Sequence, residues 1–76
     1  MKAFVLCKLA SGMEQKAVEK MRSIDGVNDV FMVFGDWDVI LSAEADTIDK
    51  LSHLIVSQVR GIPGVGATST LVTTHL

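Results

Sequence analysis

Chemistry in this chain concentrates at Gly35-Asp36-Trp37-Asp38, where two carboxylates flank an indole directly after a glycine. Two carboxylates at one loop attract an ammonium group, and main-chain amides freed by a turn attract a carboxylate, so this set of groups suits an α-amino acid. The same residues also read as an ordinary hairpin turn, with Gly for positive φ, Asp for turn hydrogen bonds and Trp for packing. That reading accounts for Gly35 and one aspartate. It accounts less well for Asp38, which opens an otherwise apolar run. Both readings stand at the level of these residues alone.

The other reactive side chains point away from catalysis. His53 lies between Leu51 and Leu54 and reads as a boundary or surface histidine, and His75 is next to the C-terminus. Cys7 sits mid-strand and reads as a small core or interface hydrophobe. A reactive thiol needs an electropositive, partly exposed setting, and Lys8 points to the opposite side of the strand. Neither these residues nor Glu44 complete a metal-ligand spacing or a Ser-His-Asp arrangement. Gly61, Gly64 and Gly66 do not lie between a strand and a helix start, as a phosphate loop requires. No cofactor is expected. Thr68, Ser69, Thr70, Thr73 and Thr74 read first as edge-strand residues, whose hydroxyls could also line a small polar site. Gln58 could add an amide.

These residues are carried by six elements. Ala3 to Leu9 is a short apolar strand with both faces largely covered. Ser11 and Glu14 have capping-box spacing ahead of a helix, and Ala17, Val18, Met21 and Ile24 form its apolar face. Gly26 is a left-handed stop. Val27 to Phe34 is a second strand, with Val27, Asp29, Phe31 and Val33 alternating against Asn28, Val30, Met32 and Phe34. Gly35-Asp36 suits a type II′ turn, with a longer Gly35–Asp38 loop as the alternative, and Trp37 to Glu44 is the third strand. Asp46 is placed to cap a second helix whose apolar face is Ile48, Leu51, Leu54, Ile55, Val59 and Ile62. Pro63-Gly64 ends it, and Gly66 to Thr74 is the last strand. Met13, Met21 and Met32 read as core fillers.

Ile24-Asp25-Gly26-Val27 and Ile62-Pro63-Gly64-Val65 stand 38 positions apart in a chain of 76. Ala17, Met21 and Ile24 share that offset with Ile55, Val59 and Ile62. A strand–helix–strand unit used twice, with right-handed crossovers, predicts a ferredoxin-like α+β fold, βαββαβ, in one domain spanning residues 1–76. Its four-stranded antiparallel sheet has both helices on one face, the first and third strands central and the second and fourth at the edges. The other face remains apolar, which predicts a dimer burying sheet against sheet.

Composition sets the bounds. A chain this short is marginal as a monomer, yet 49% of its residues are hydrophobic, more than one small core hides. The formal charge is −2, and the seven basic residues form no cluster, so direct nucleic-acid binding is not expected. No apolar run is long enough to span a membrane and no secretory leader is expected. A single cysteine fits a reducing cytoplasm.

Gly35-Asp36-Trp37-Asp38 between two strands resembles the Gly-Asp-aromatic-Asp hairpin of the Lrp/AsnC transcription regulators. Ile62-Pro63-Gly64-Val65 with Thr68 and Thr70 resembles that family's Ile/Leu-Pro-Gly-Val-x-x-Thr-x-Thr segment, and Ile24-Asp25-Gly26-Val27 resembles its first-half counterpart. The likeness covers essentially the whole chain, but only the effector-binding (RAM-type) domain. The helix-turn-helix domain is missing, so a stand-alone ligand-binding domain is expected. The resemblance implies dimerisation through the sheets, further assembly to octamers or decamers, and small effectors, typically amino acids, bound between dimers. It implies site residues Gly35, Asp36, Trp37 and Asp38 and, less directly, Gln58, Leu71, Val72 and Thr73. It also implies co-assembly with full-length regulators. Trp37 departs from the usual Tyr or Phe and would narrow the pocket or change ligand choice. Three other readings compete: a cofactor-free monooxygenase-like enzyme built on Trp37 and His53, a purely structural oligomerisation adaptor, and an ACT-type domain, of whose Gly-rich loop Ser11-Gly12 is a faint echo.

Overall fold

In the computed structural model, which describes residues 1–74, β1 (Lys2–Leu9), α1 (Glu14–Ser23), β2 (Val27–Met32), β3 (Val39–Glu44), α2 (Ile48–His53) and β4 (Val65–Val72) follow the expected order. His75 lies outside the described residues. The sheet runs β2-β3-β1-β4 with every neighbouring pair antiparallel. β1 and β3 are therefore central, and β2 and β4 are the edges. No helix among the described residues is long and apolar enough to cross a membrane.

Alternation along β1 sends Ala3, Val5 and Cys7 into the core under the helices and leaves Phe4, Leu6 and Lys8 on the open face. Val39, Leu41 and Ala43 of β3 meet Ala17, Val18 and Met21 of α1 and Leu51, Leu54, Ile55, Val59 and Ile62 of the second helical arm in one cluster. The repeat is visible in the hydrogen bonds. Ile24 N donates to Met21 O (3.2 Å) and Val27 N to Ile24 O (3.2 Å); Ile62 N donates to Val59 O (3.2 Å) and Val65 N to Ile62 O (3.1 Å). Gly26 and Gly64 both take φ +96°, the left-handed region that glycine enters without strain. Each then accepts from the other unit, at or just past the end of its central strand: Gly26 O from Glu44 N (2.8 Å), Gly64 O from Ala10 N (2.7 Å).

Local details depart from the sequence expectations. Ser11 caps nothing: α1 starts after Met13, and the Glu14 carboxylate accepts from the Gly12 amide (2.7 Å). The Ala10–Met13 turn, closed by Met13 N to Ala10 O (3.0 Å), places the helix start two residues later than a Ser11 cap requires. At the second helix Thr47, not Asp46, is the cap, accepting from Lys50 N at 3.2 Å. Beyond His53 the helix widens into a π-helical stretch, Leu54–Val59, in which Arg60 N reaches Ile55 O (2.9 Å). In β2, Asn28 bulges, so Val27 pairs with Ala43 while Asp29 pairs with Ser42. The bulge turns Val27 to the core side and breaks the strict alternation. Met32 is 58% exposed rather than core, because it ends an edge strand and lies at the rim of an open hollow beside Gln15, Val18 and Arg22 of α1.

Cys7 is fully buried, and desolvation of its thiolate pushes the thiol from 9.0 to about 11. The unfolded chain therefore loses this proton first as pH rises. Stability attributable to Cys7 is intact below pH 9 and declines toward pH 11. By pH 10 the wild type is expected to have lost about 1.4 kcal/mol more than Cys7→Ala, read as the difference between their urea-denaturation curves at pH 8 and 10. Parallel pH dependences would remove this account of the buried thiol.

Candidate functional site

The hairpin between β2 and β3 is longer than two residues. Val33 N donates to Asp38 O at 2.9 Å, closing a loop of Phe34, Gly35, Asp36 and Trp37. The type II′ expectation gives way to the longer-loop alternative. Gly35 takes φ +121°, where a side chain is strained whatever the space around it. Asp36 is exposed and makes no hydrogen bond with the described residues, and Trp37 and Asp38 are half-buried. Phe34, expected to end the second strand, lies past its end and is fully exposed at the loop. Nothing in its alternation with Met32 and Val30 signals this, because the loop begins where the β3 partner strand stops.

Asp38 is tied down at three points. Its amide donates to Cys7 O (2.9 Å), its carbonyl accepts from Val33 N, and its carboxylate Oδ2 accepts from Leu9 N at 2.8 Å. This last bond answers the question raised by a second aspartate at the mouth of an apolar strand. β3 begins at Val39, opposite Cys7, and the side chain of the preceding Asp38 supplies the acceptor that a further rung would have given Leu9.

The remaining expected site residues lie elsewhere. Gln58 is exposed on the π-helical stretch, beside a shallow hollow lined by Lys20, Ser23, Asp25, Ser57 and Gly61. Leu71 pairs with Phe4 on the open face. Val72 lies on the helix side, at an apolar groove of about 230 Å3 between α2 and β4 that includes Ile48, Ile55 and Val56. Thr73 donates from both its amide (2.9 Å) and its hydroxyl (3.1 Å) to Lys2 O. Register separates these from the loop: Cys7 faces Val39 beside the hairpin and Ala3 faces Val72, roughly 13 Å apart along β1. Within one chain the expected residues therefore fall in three places.

The enzymatic reading finds little support. His53 is exposed on α2, its Nδ1 3.3 Å from Ser57 Oγ. Among the described residues, no group of three or more His, Cys, Asp or Glu is arranged to hold a metal ion.

The open face of the sheet is apolar across its width. It carries Phe4, Leu6, Ile40, Leu71 and Phe31, the last 60% exposed. The polar groups at its β2 side satisfy one another. Ser42 Oγ donates to Asp29 Oδ2 (3.3 Å) and accepts from Asp29 N (3.2 Å), and Asn28 Nδ2 donates to Glu44 Oε1 (2.8 Å).

Comparison with known proteins fits this architecture. A family model described as the Lrp/AsnC ligand binding domain matches residues 2–75. An uncharacterized HTH-type transcriptional regulator of Pyrococcus furiosus is 38% identical over 73 residues, covering 92% of this chain and 49% of the relative. The chain thus spans about half the length of the curated relatives it matches, which are described as uncharacterized HTH-type transcriptional regulators. The solved structure of FFRP-DM1 is similar with a TM-score of 0.92 at 32% identity, over 96% of this chain and 97% of that one. Hypothetical protein PHS023 of Pyrococcus horikoshii gives a TM-score of 0.89 at 31% identity, over 99% and 90%.

Proposed function

The chain belongs to the Lrp/AsnC family of ligand-binding domains, and from that premise we propose that it binds an amino acid or a related small metabolite and couples binding to its own assembly. The observation that carries this reading is the Phe34–Trp37 loop. It presents one carboxylate, Asp36, with no partner among the described residues, beside the turn backbone at Gly35 and a half-buried indole. A carboxylate held next to main-chain donors complements both ends of a zwitterion.

Assembly supplies what one chain lacks. The apolar open face is the surface for a second copy, sheet against sheet, and dimers of this kind build octamers or decamers. In such an assembly Gln58, Leu71, Val72 and Thr73 of one copy complete a site around the loop of another. A full-length DNA-binding paralogue is the natural mixed-assembly partner, and the module acts in the cytoplasm alongside it. Ligand and assembly must then shift each other's equilibria equally.

Isothermal titration against the twenty standard amino acids tests the reading. At least one should bind at millimolar concentration or tighter, and Asp36→Asn should weaken it by about tenfold or more, as expected for a lost charge-assisted contact. Absence of any binding, together with co-purification of a DNA-binding paralogue, would instead favour the structural adaptor.

A further inference from the structure

The two aspartates of the loop are not equivalent. Asp36 faces solvent without a partner among the described residues, whereas the amide, the carbonyl and the carboxylate Oδ2 of Asp38 are each hydrogen-bonded inside the chain. We propose that Asp38 is a positioning residue that locks the hairpin loop onto β1 through the Leu9 amide, and that Asp36 alone of the two meets the ligand; this rests on the loop being the ligand site.

The geometry divides the work. The Asp38 backbone joins the loop to β1 at Cys7 O and closes the hairpin at Val33 N. Its carboxylate reaches one rung further, to Leu9 N. Leu9 is also where the β1–β4 pairing shifts register, between Cys7 and Leu9. Asp38 therefore fastens the loop to the end of β1, at the residue whose register partner on β4 is Val65. A carboxylate oxygen accepting a main-chain amide at 2.8 Å is in the range of a strong charge-assisted bond. Moving it to a ligand ammonium would leave a part-buried amide without its acceptor.

An amide oxygen can replace the carboxylate in this role, because Leu9 N needs only an acceptor. A ligand ammonium, by contrast, needs the charge. Asp38→Asn, Asp38→Ala and Asp36→Asn therefore separate the two functions. Amide hydrogen exchange at Leu9 and fluorescence of Trp37, the single tryptophan, report the contact without any ligand. Titration with the twenty standard amino acids reports binding.

Asp38→Asn is expected to keep Leu9 protection and the wild-type Trp37 spectrum and to bind within about threefold of wild type. Asp38→Ala is expected to lose Leu9 protection by about tenfold or more and to shift the Trp37 emission. Asp36→Asn is expected to keep both structural signals and lose binding. If Asp38→Asn loses affinity as fully as Asp36→Asn while Leu9 stays protected, Asp38 is a ligand contact and the proposal is overturned. If no amino acid binds the wild type, the ligand reading fails, and the exchange data still decide the positioning role: unchanged Leu9 protection and Trp37 emission in Asp38→Ala overturn it. If Asp38→Ala does not fold, loss of Leu9 protection in the folded Asp38→Asn protein overturns it, and retained protection supports it.

Discussion

If the protein dimerises through its open sheet face as proposed, Leu6→Asp is expected to leave folded monomers. Leu6 sits in the middle of β1, a central strand, with Ile40 beside it on β3 and Ser69 on β4, and its side chain points away from the helices. A carboxylate there touches no core residue, so the monomer fold should survive with an unchanged circular dichroism spectrum. In a sheet-to-sheet dimer the same carboxylate would be buried without a partner, which costs several kcal/mol. At about 1.4 kcal/mol per decade, the dimer dissociation constant should rise by roughly a thousandfold. Sedimentation equilibrium at micromolar concentration reads the outcome, with Lys16→Asp on the wet face of α1 as the control. A Leu6→Asp protein that keeps the wild-type mass would show that the open sheet face is not the interface.

Leu41→Ala tests the other side of the sheet. Leu41 is fully buried in β3, paired with Val5 on β1 and Val30 on β2, and its side chain lies under the helices. Truncating a buried leucine removes its transfer free energy and leaves a cavity, together about 3 to 4 kcal/mol. A domain of this size holds roughly 4–11 kcal/mol in total, so one such loss removes a large part of its stability. The measurement belongs in the Leu6→Asp background, where the proposed sheet-to-sheet dimer would not add to apparent stability. With a urea m-value near 1 kcal/mol/M, the midpoint should fall by about 3 M. Met32→Ala, at an equally apolar but exposed position, should stay within about 0.5 kcal/mol. A large loss there would mean that Met32 packs where the structure leaves it exposed.

The contrast between Leu41 and Met32 shows how far the sequence could be read. Three- and four-residue spacing in Ala17, Val18 and Met21, and two-residue spacing in Val5 and Cys7, report directly which face of an element is apolar. That information is local, so the elements, their order and the core face of β1 were legible. Met32 obeys the same alternation but sits at the end of an edge strand. Burial there depends on whether a helix reaches over it, which spacing does not encode. The bulge at Asn28 was equally silent, because one extra residue changes the register without changing composition. Ser11 and Asp46 carried the right chemistry for helix caps, yet the turn at Ala10–Met13 and the hydroxyl of Thr47 set the starts instead. Several capping residues in a row leave the choice to the geometry of the incoming chain.

At the candidate site the division is sharper. Gly35, Asp36, Trp37 and Asp38 stood out because their types and order carry chemistry, and the repeat of Ile24-Asp25-Gly26-Val27 in Ile62-Pro63-Gly64-Val65 carried the topology. Two strand–helix–strand units, their glycine stops and the loop between them follow from local spacing and from the conformations that only glycine adopts freely. That Asp38 turns inward to Leu9 while Asp36 has no partner among the described residues, and that Gln58 and Thr73 lie apart from the loop in a single chain, emerges only once the sheet has packed. Those outcomes depend on where β3 begins against β1, a contact between residues 29 positions apart. No pattern along the chain fixes such a contact, because it forms only when the sheet does.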